Sequence, residues 1–378
     1  MNYIYDILYG KIPYSDEDLR LFQTPELSRL RKISVSTIPH WCVPTGICCS
    51  RFEHSIGVWH LAKIVGRKPE FREIAKDLAF AALLHDVAVP PFSHGADKLQ
   101  EKMLGKDHEH LVGDIIINSE IGREIERQGG KMDVILSLIN GEGKFGKLIN
   151  GEIDLDNLDN TLRFGLTMGI FKKKYYSPEK IADSFSCDGE KLFLKSDHGI
   201  AGWERCRQVT YRYVYTSYPE NMIFRALDLA YKNDDLNKSF FRLDDYEAIN
   251  YLKAHANNST KRLIERTEAW QFYLLSFFQI IENATPSYIR RAKSIETRLK
   301  LAKMLTKELD LEPEDICVSI SRDKGYKKIN IPILNKNNEE TSHQPKMKER
   351  WIIRVYTYKK IDRTLIAKAV SKYFKGII

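Results

Sequence analysis

The 378-residue sequence has no run of 18 or more apolar residues, so no helix in it is expected to cross a membrane. The opening segment, MNYIYDILYGKIPYSDEDLR, is not a basic stretch followed by an apolar one, and a secretory signal is not expected. Cysteine is sparse. The six (Cys42, Cys48, Cys49, Cys187, Cys206 and Cys317) form no C-x-x-C pair and no Cys/His zinc-finger spacing. The adjacent Cys48 and Cys49 could be read as a redox pair, but plain thiols in a reducing compartment fit better, and a cytoplasmic location is expected. No internal repeat is evident. With 43% hydrophobic residues, the chain has enough apolar material for one large core or two smaller ones.

Charge is unevenly spread. The net charge is +8, yet residues 286–378 carry 22 Lys and Arg against 11 Asp and Glu, a local excess of +11. A basic C-terminal part suits nucleotide phosphates, single-stranded nucleic acid or an acidic surface; it equally suits a solvated face that keeps the protein soluble.

Apolar residues recur at three- and four-residue intervals over 72–85, 107–117, 203–215 and 220–231, which predicts helices. Segment 267–281 reads as a long apolar helix stopped by Pro286. Pro90-Pro91 and the glycines of 141–151 read as breaks between helices. Beyond Pro286 the pattern changes. A helix is expected over 294–309, then strands over 316–321, 328–334 and 351–358, where Ile, Val and Tyr concentrate. A polar loop over 335–350 and a final helix over 363–374 complete this part. The expected fold is therefore mostly α: a helical domain over 1–285, followed by a small basic α+β module over 286–378.

The sharpest chemical signal is HDVAVPPFSH, residues 85–94. Ile74, Leu78 and Ala81 share the helical face of His85, so that histidine is expected to point inward. His54 is followed at helical spacing by Gly57, Val58, Leu61 and Val65, and is read the same way. Two inward histidines joined by Asp86 make a metal-ligand set that lacks one further carboxylate. GEIDLDNLDNTLRF (151–164) offers candidates, with Asp156, Asp159, Asn160 and Arg163 on one helical face and Leu155, Leu158 and Leu162 on another. Two His and two Asp suit Mn, Fe, Co, Ni, Mg or Zn. Singly, each residue is more simply a hydrogen-bonded core side chain; the combination carries the signal.

The segments TPELSRLRKI (24–33), SRFEHSIGVWHLA (50–62), LLHDVAVPPFSHGAD (83–97), DHEH (107–110) and IDLDNLD (153–159) resemble, in this order, the HD-superfamily deoxynucleoside triphosphate triphosphohydrolases. The resemblance implies a helical HD core, a metal held by His54, His85, Asp86 and Asp156, and an acid/base group of His94, Asp97 and His108. It implies attack of metal-activated water on the α-phosphorus of a (deoxy)nucleoside triphosphate, releasing nucleoside and triphosphate. It places Arg51 and Arg207 on phosphate and Tyr211 or Tyr215 beside the sugar. It further implies a homo-oligomer and a nucleotide activator. The sequence departs from the family pattern at Val35, Val89, Asn157 and Asn160, near the substrate, and at Gln23 and Ser28, in the activator region, where Arg31 is retained. The metal chemistry thus transfers better than the substrate. Two other functions are open: a phosphodiesterase or nuclease using the basic module to hold a single strand, and a nucleotide-binding sensor with weak or no catalysis.

Overall fold

The computed structural model describes residues 2–43, 49–189, 191–216, 218–325, 327–334, 339–341 and 350–374; the side chains of 215–218 and 341 also lie outside the described set. The fold is mostly α, as expected, with three small sheets among the described residues.

Local sequence starts each helix that matters for the site. Ser50 and Glu53 form a capping box: Ser50 N donates to the Glu53 carboxylate and Glu53 N donates to Ser50 Oγ, which starts helix Arg51–Gly66. Asp154 caps helix Leu155–Thr167 by accepting from Asn157 N at 2.6 Å. Asp107 does the same for helix His108–Ile116. Helix Ala75–Leu84 ends with His85 as its C-cap residue. These helices surround a core that includes the fully buried Leu61, Leu78, Leu83, Val112, Leu155 and Leu158.

An N-terminal antiparallel hairpin, β1 (Asn2–Asp6) and β2 (Gly10–Tyr14), lies before the first helix. Strands β3 (Phe185–Asp188) and β4 (Lys191–Leu194) form a second hairpin. The third sheet has the order β5-β9-β6, all antiparallel, from β5 (Leu274–Glu282), β6 (Ile316–Arg322) and β9 (Arg350–Thr357).

Segment 267–281 is not a long helix. The helix Asn258–Glu268 stops where Trp270 adopts φ 57°, a left-handed cap closed by Gln271 N donating to Arg266 O, and β5 follows. A mostly apolar run carries no period that separates a buried helix from a strand, and LLSFFQIIE settled as strand against β9. β5 ends just before residue 285, where the chain turns into helix Pro286–Lys293, yet it is an edge of the sheet completed by β6 and β9. The expected strand over 328–334 shortens to β7 (Ile333–Leu334). It joins β4 in parallel and β8 (Glu340–Thr341) in antiparallel, not the β6–β9 sheet. Of the expected loop over 335–350, most lies outside the described residues. No helix among the described residues is long and apolar enough to cross a membrane.

Candidate metal centre and its neighbouring acid–base group

Helix Arg51–Gly66 brings His54 into its first turn, because the Ser50–Glu53 box sets the start three residues earlier. The Leu155–Thr167 helix places Asp156 in its first turn for the same reason. Of the two aspartates in I-D-L-D, Asp154 is spent as the cap and Asp156 is presented to the site. Past the Ala75–Leu84 helix, turns from Val87 N to Leu84 O and from Val89 N to Asp86 O fold the chain back. Phe92 (φ 65°) and Ser93 (φ 52°) then take left-handed conformations that direct His94 toward the same opening.

His54 and His85 are buried, and their Nε2 atoms lie 3.3 Å apart. Each ring is oriented from behind. His54 Nδ1 donates to Asp159 Oδ1 at 2.7 Å, and His85 Nδ1 donates to Ala82 O at 2.8 Å. With both Nδ1 positions engaged as donors, the two Nε2 atoms are the ring positions left for a ligand, and they face one another beside Asp156 and Asp86. Asp156 Oδ1 is 3.0 Å from His54 Nε2 and 3.9 Å from His85 Nε2. Asp86 Oδ2 is 3.7 and 3.5 Å from the same two atoms. His54, His85 and Asp156 form a group whose ligand atoms all lie within 4.8 Å of one another. The donor set fits a divalent ion with mixed nitrogen and oxygen ligands.

The electrostatics agree. Burial opposes charge on His54, but hydrogen bonds to Asp156 and Asp159 outweigh it and raise its pKa to about 9. Burial likewise opposes charge on Asp86, yet Arg51, His85 and His54 hold its carboxyl well below the usual range. Asp156 is also held down, by His54 and His85 against the cost of burial. Negative charge is thus fixed where a cation would sit.

Asp159 is the hub behind the site. Besides His54 it accepts from Arg163 Nε and Nη2, at 2.7 and 2.8 Å, and from the Tyr9 hydroxyl at 2.8 Å. Arg163 Nη1 in turn meets Asp6 at 2.8 Å, so the end of β1 and the turn of the N-terminal hairpin lock this network.

His94, Asp97 and His108 form a second cluster. His94 Nδ1 lies 2.7 Å from Asp97 Oδ2, and His108 Nδ1 lies 3.5 Å from Asp97 Oδ1. Crowding by protein lowers the pKa of His94 despite Asp97; at His108, Asp97 overcomes the same effect and raises it to about 9. The cluster also satisfies the geometry of a metal-ligand group.

Arg51, which the resemblance places on phosphate, contacts protein groups in this structure. It is buried; its Nε donates to Ser93 Oγ, Nη1 to Asp86 Oδ2 at 2.8 Å and Nη2 to Val35 O, so it holds the Asp86 carboxylate and lines neither cavity at the site. Arg207 is also engaged, donating to Asn157 Oδ1 and to Lys324 O. Tyr211 lines the cavity beside His94, whereas the Tyr215 side chain lies outside the described residues. Of the two adjacent cysteines, Cys48 lies outside the described residues, and the Cys49 thiol donates to Ser50 O.

Sequence reasoning missed Lys327, which lines the metal-side cavity and donates to Gly151 O, and Lys324, which lines the other one. Both come from the basic C-terminal part, and the charge excess there was their only sequence signal. Asp159 and Arg163 were seen to share a face with Asp156, but not that they orient His54.

Residues 51–162 match the HD domain family. Uncharacterized protein MJ1154 of Methanocaldococcus jannaschii is 24% identical over 294 residues, covering 74% of this chain and 61% of that protein. Uncharacterized protein YdhJ of Bacillus subtilis is 26% identical over 275 residues, 69% of this chain and 78% of that one. The deoxynucleoside triphosphate triphosphohydrolase SAMHD1 of Bos taurus is 33% identical over 105 residues, 26% of this chain and 18% of that protein. The chain thus spans about three fifths of its archaeal relative and under a fifth of the bovine enzyme. HD domains bind divalent metal ions, and both His/Asp groups described above lie within the matched segment.

Proposed function

We propose that this protein is a metal-dependent phosphohydrolase, that His54, His85, Asp86 and Asp156 hold its divalent ion, and that it cleaves (deoxy)nucleoside triphosphates to nucleoside and triphosphate. The observation that carries the reading is the pair of Nε2 atoms 3.3 Å apart with both Nδ1 positions engaged behind them and Asp156 alongside. A bound divalent ion would supply Lewis acidity, lowering the pKa of water and neutralising phosphoryl charge. The chain's own residues do the rest. Asp159 keeps the His54 tautomer, Arg51 fixes the Asp86 carboxylate, and Asp97 orients His94 through Nδ1 so that Nε2 can pass a proton to the leaving oxygen. The nucleotide class rests on the partial similarity to the bovine enzyme.

The test is product analysis. Purified protein with Mn, Mg, Co or Ni is incubated with each dNTP and NTP, singly and mixed, and products are separated by chromatography. Nucleoside plus triphosphate is expected. Nucleoside mono- or diphosphate would move the attack to another phosphorus, and no turnover under any combination would overturn the proposal. The double variant His85→Ala/Asp86→Ala should lose both metal and hydrolysis while keeping its helical circular dichroism. The reading also takes the protein to be a homo-oligomer with a nucleotide activator. A monomer in sedimentation across concentrations, or rates unaffected by a second nucleotide, would remove those parts.

A further inference from the structure

Two cavities meet at His94, and their charges are opposite. The metal-side cavity, about 200 Å³, is lined by the acids Asp86, Glu109, Asp154 and Asp156, with Lys327 as its one Lys or Arg among the described residues. The cavity on the other side, about 250 Å³, is lined among the described residues by Lys98, Arg298, Arg322, Lys324 and Arg354, with Glu220 and Asp228 as its acids. Asp228 is already held by Arg298, at 2.5 to 3.2 Å. Burial presses the Lys98 ammonium down to about 8, and the nearby Arg298 and Lys324 add to it.

This distribution bears on the substrate. Four acids leave the metal side suited to one ion and the phosphoryl group it serves. The capacity for further negative charge lies across His94, where the leaving group must be. The same cavity carries Ser319 and Ser321, whose hydroxyls accept from Arg354 Nη2, and an apolar side of Val35, Phe164 and Phe224 against which a sugar or base can lie. Its volume lies just below the range of about 300–1,000 Å³ usual for small-molecule sites, which favours a small ligand.

We infer that the cavity lined by Lys98, Arg322 and Lys324 is a phosphate-binding leaving-group site, and that the substrate is a small nucleotide phosphorylated on both sides of the scissile ester. The inference rests on the hydrolytic reading above and narrows it: the 5′ ester is cut, and the nucleoside released carries a phosphate on its other hydroxyl. Water supplies the hydroxyl that ends on phosphorus and the proton that His94 relays to the leaving 5′ oxygen. The P–O bond breaks, and no further reactant is needed.

The experiment uses the full chain loaded with the metal that best supports turnover. It compares kcat/KM for deoxyadenosine 5′-phosphate and 5′-triphosphate with the same compounds bearing a 3′-phosphate, and with the 5′-phosphorylated dinucleotide. The 3′-phosphate is expected to raise kcat/KM about 10- to 100-fold, mostly through KM, as a charge-assisted contact does. Arg322→Gln and Lys324→Gln, both at exposed side chains that folding tolerates, should each cut that preference several-fold. Binding of deoxyadenosine 3′-phosphate, followed by calorimetry, should weaken in step. Turnover of the plain triphosphate with no gain from the 3′-phosphate overturns this inference and leaves the hydrolytic reading standing. A dinucleotide preferred more than tenfold over the 3′,5′-bisphosphate overturns the small-nucleotide assignment in favour of a strand. Binding of the 3′-phosphate with no hydrolysis of any compound overturns both readings.

Discussion

A Cβ placed on Gly57 would lie 2.0 Å from Oδ2 of Asp159 and 2.5 Å from an Arg163 nitrogen. Only a residue without a side chain lets helix Leu155–Thr167 approach helix Arg51–Gly66 closely enough for Asp159 to reach His54 one turn away.

Gly57→Ala should therefore destabilise the protein, by about 2–3 kcal/mol, since the atoms it meets are buried and ion-paired and cannot step aside. Urea unfolding measures this. A loss below about 0.5 kcal/mol, the range of an ordinary surface change, would mean the two helices can separate at little cost.

Asp159→Asn keeps the shape but loses a charge that His54, Arg163 and Tyr9 all share. Metal affinity, read by competition with a chelator, should fall about 10- to 100-fold, as when the partner behind a ligating histidine is removed. Unchanged affinity would show that His54 does not depend on Asp159 for its tautomer.

His94→Gln should lower kcat about 10²- to 10⁴-fold, with bound metal unchanged, because it removes a proton donor and no proposed ligand. Steady-state kinetics beside metal analysis of the purified variant decides it. Loss of metal along with activity would instead place His94 among the ligands.

The buried Asp245 carboxyl accepts from Phe92 N at 2.7 Å and from Ser34 N at 2.9 Å. Burial nevertheless pushes its pKa up to about 7, opposed by those donors and by Arg29. A carboxyl raised on folding binds its proton more tightly in the folded state. Its contribution is therefore complete below about pH 4, where the unfolded chain is protonated too, and is lost as pH rises through 7. The stability advantage of wild type over Asp245→Asn should shrink between pH 4 and 7, by at most about 4 kcal/mol. A difference that stays flat across that range would mean Asp245 is ionised in the fold.

His54 and His85 could be read from sequence because each shares a helical face with apolar residues, whereas Asp156 was singled out among the acids of 151–164 only by the resemblance. The acid–base trio came from resemblance, and the turn through Phe92 and Ser93 brings His94 within reach of Asp97. The surroundings of Arg51 were not legible for a different reason. Nothing local distinguishes an arginine that will face substrate from one that will be enclosed by Asp86, Ser93 and Val35 O.

What the chain's local order determined was the start of each helix, the inward face of each, and the residue types converging on a metal, because capping and periodicity act over three or four residues. What only tertiary structure decided was partnership. Lys327 reaches Gly151 across 176 positions, Tyr9 reaches Asp159 across 150, and β5 is a strand because β9 lies beside it. Such contacts depend on how separate elements pack, and no short-range pattern encodes them.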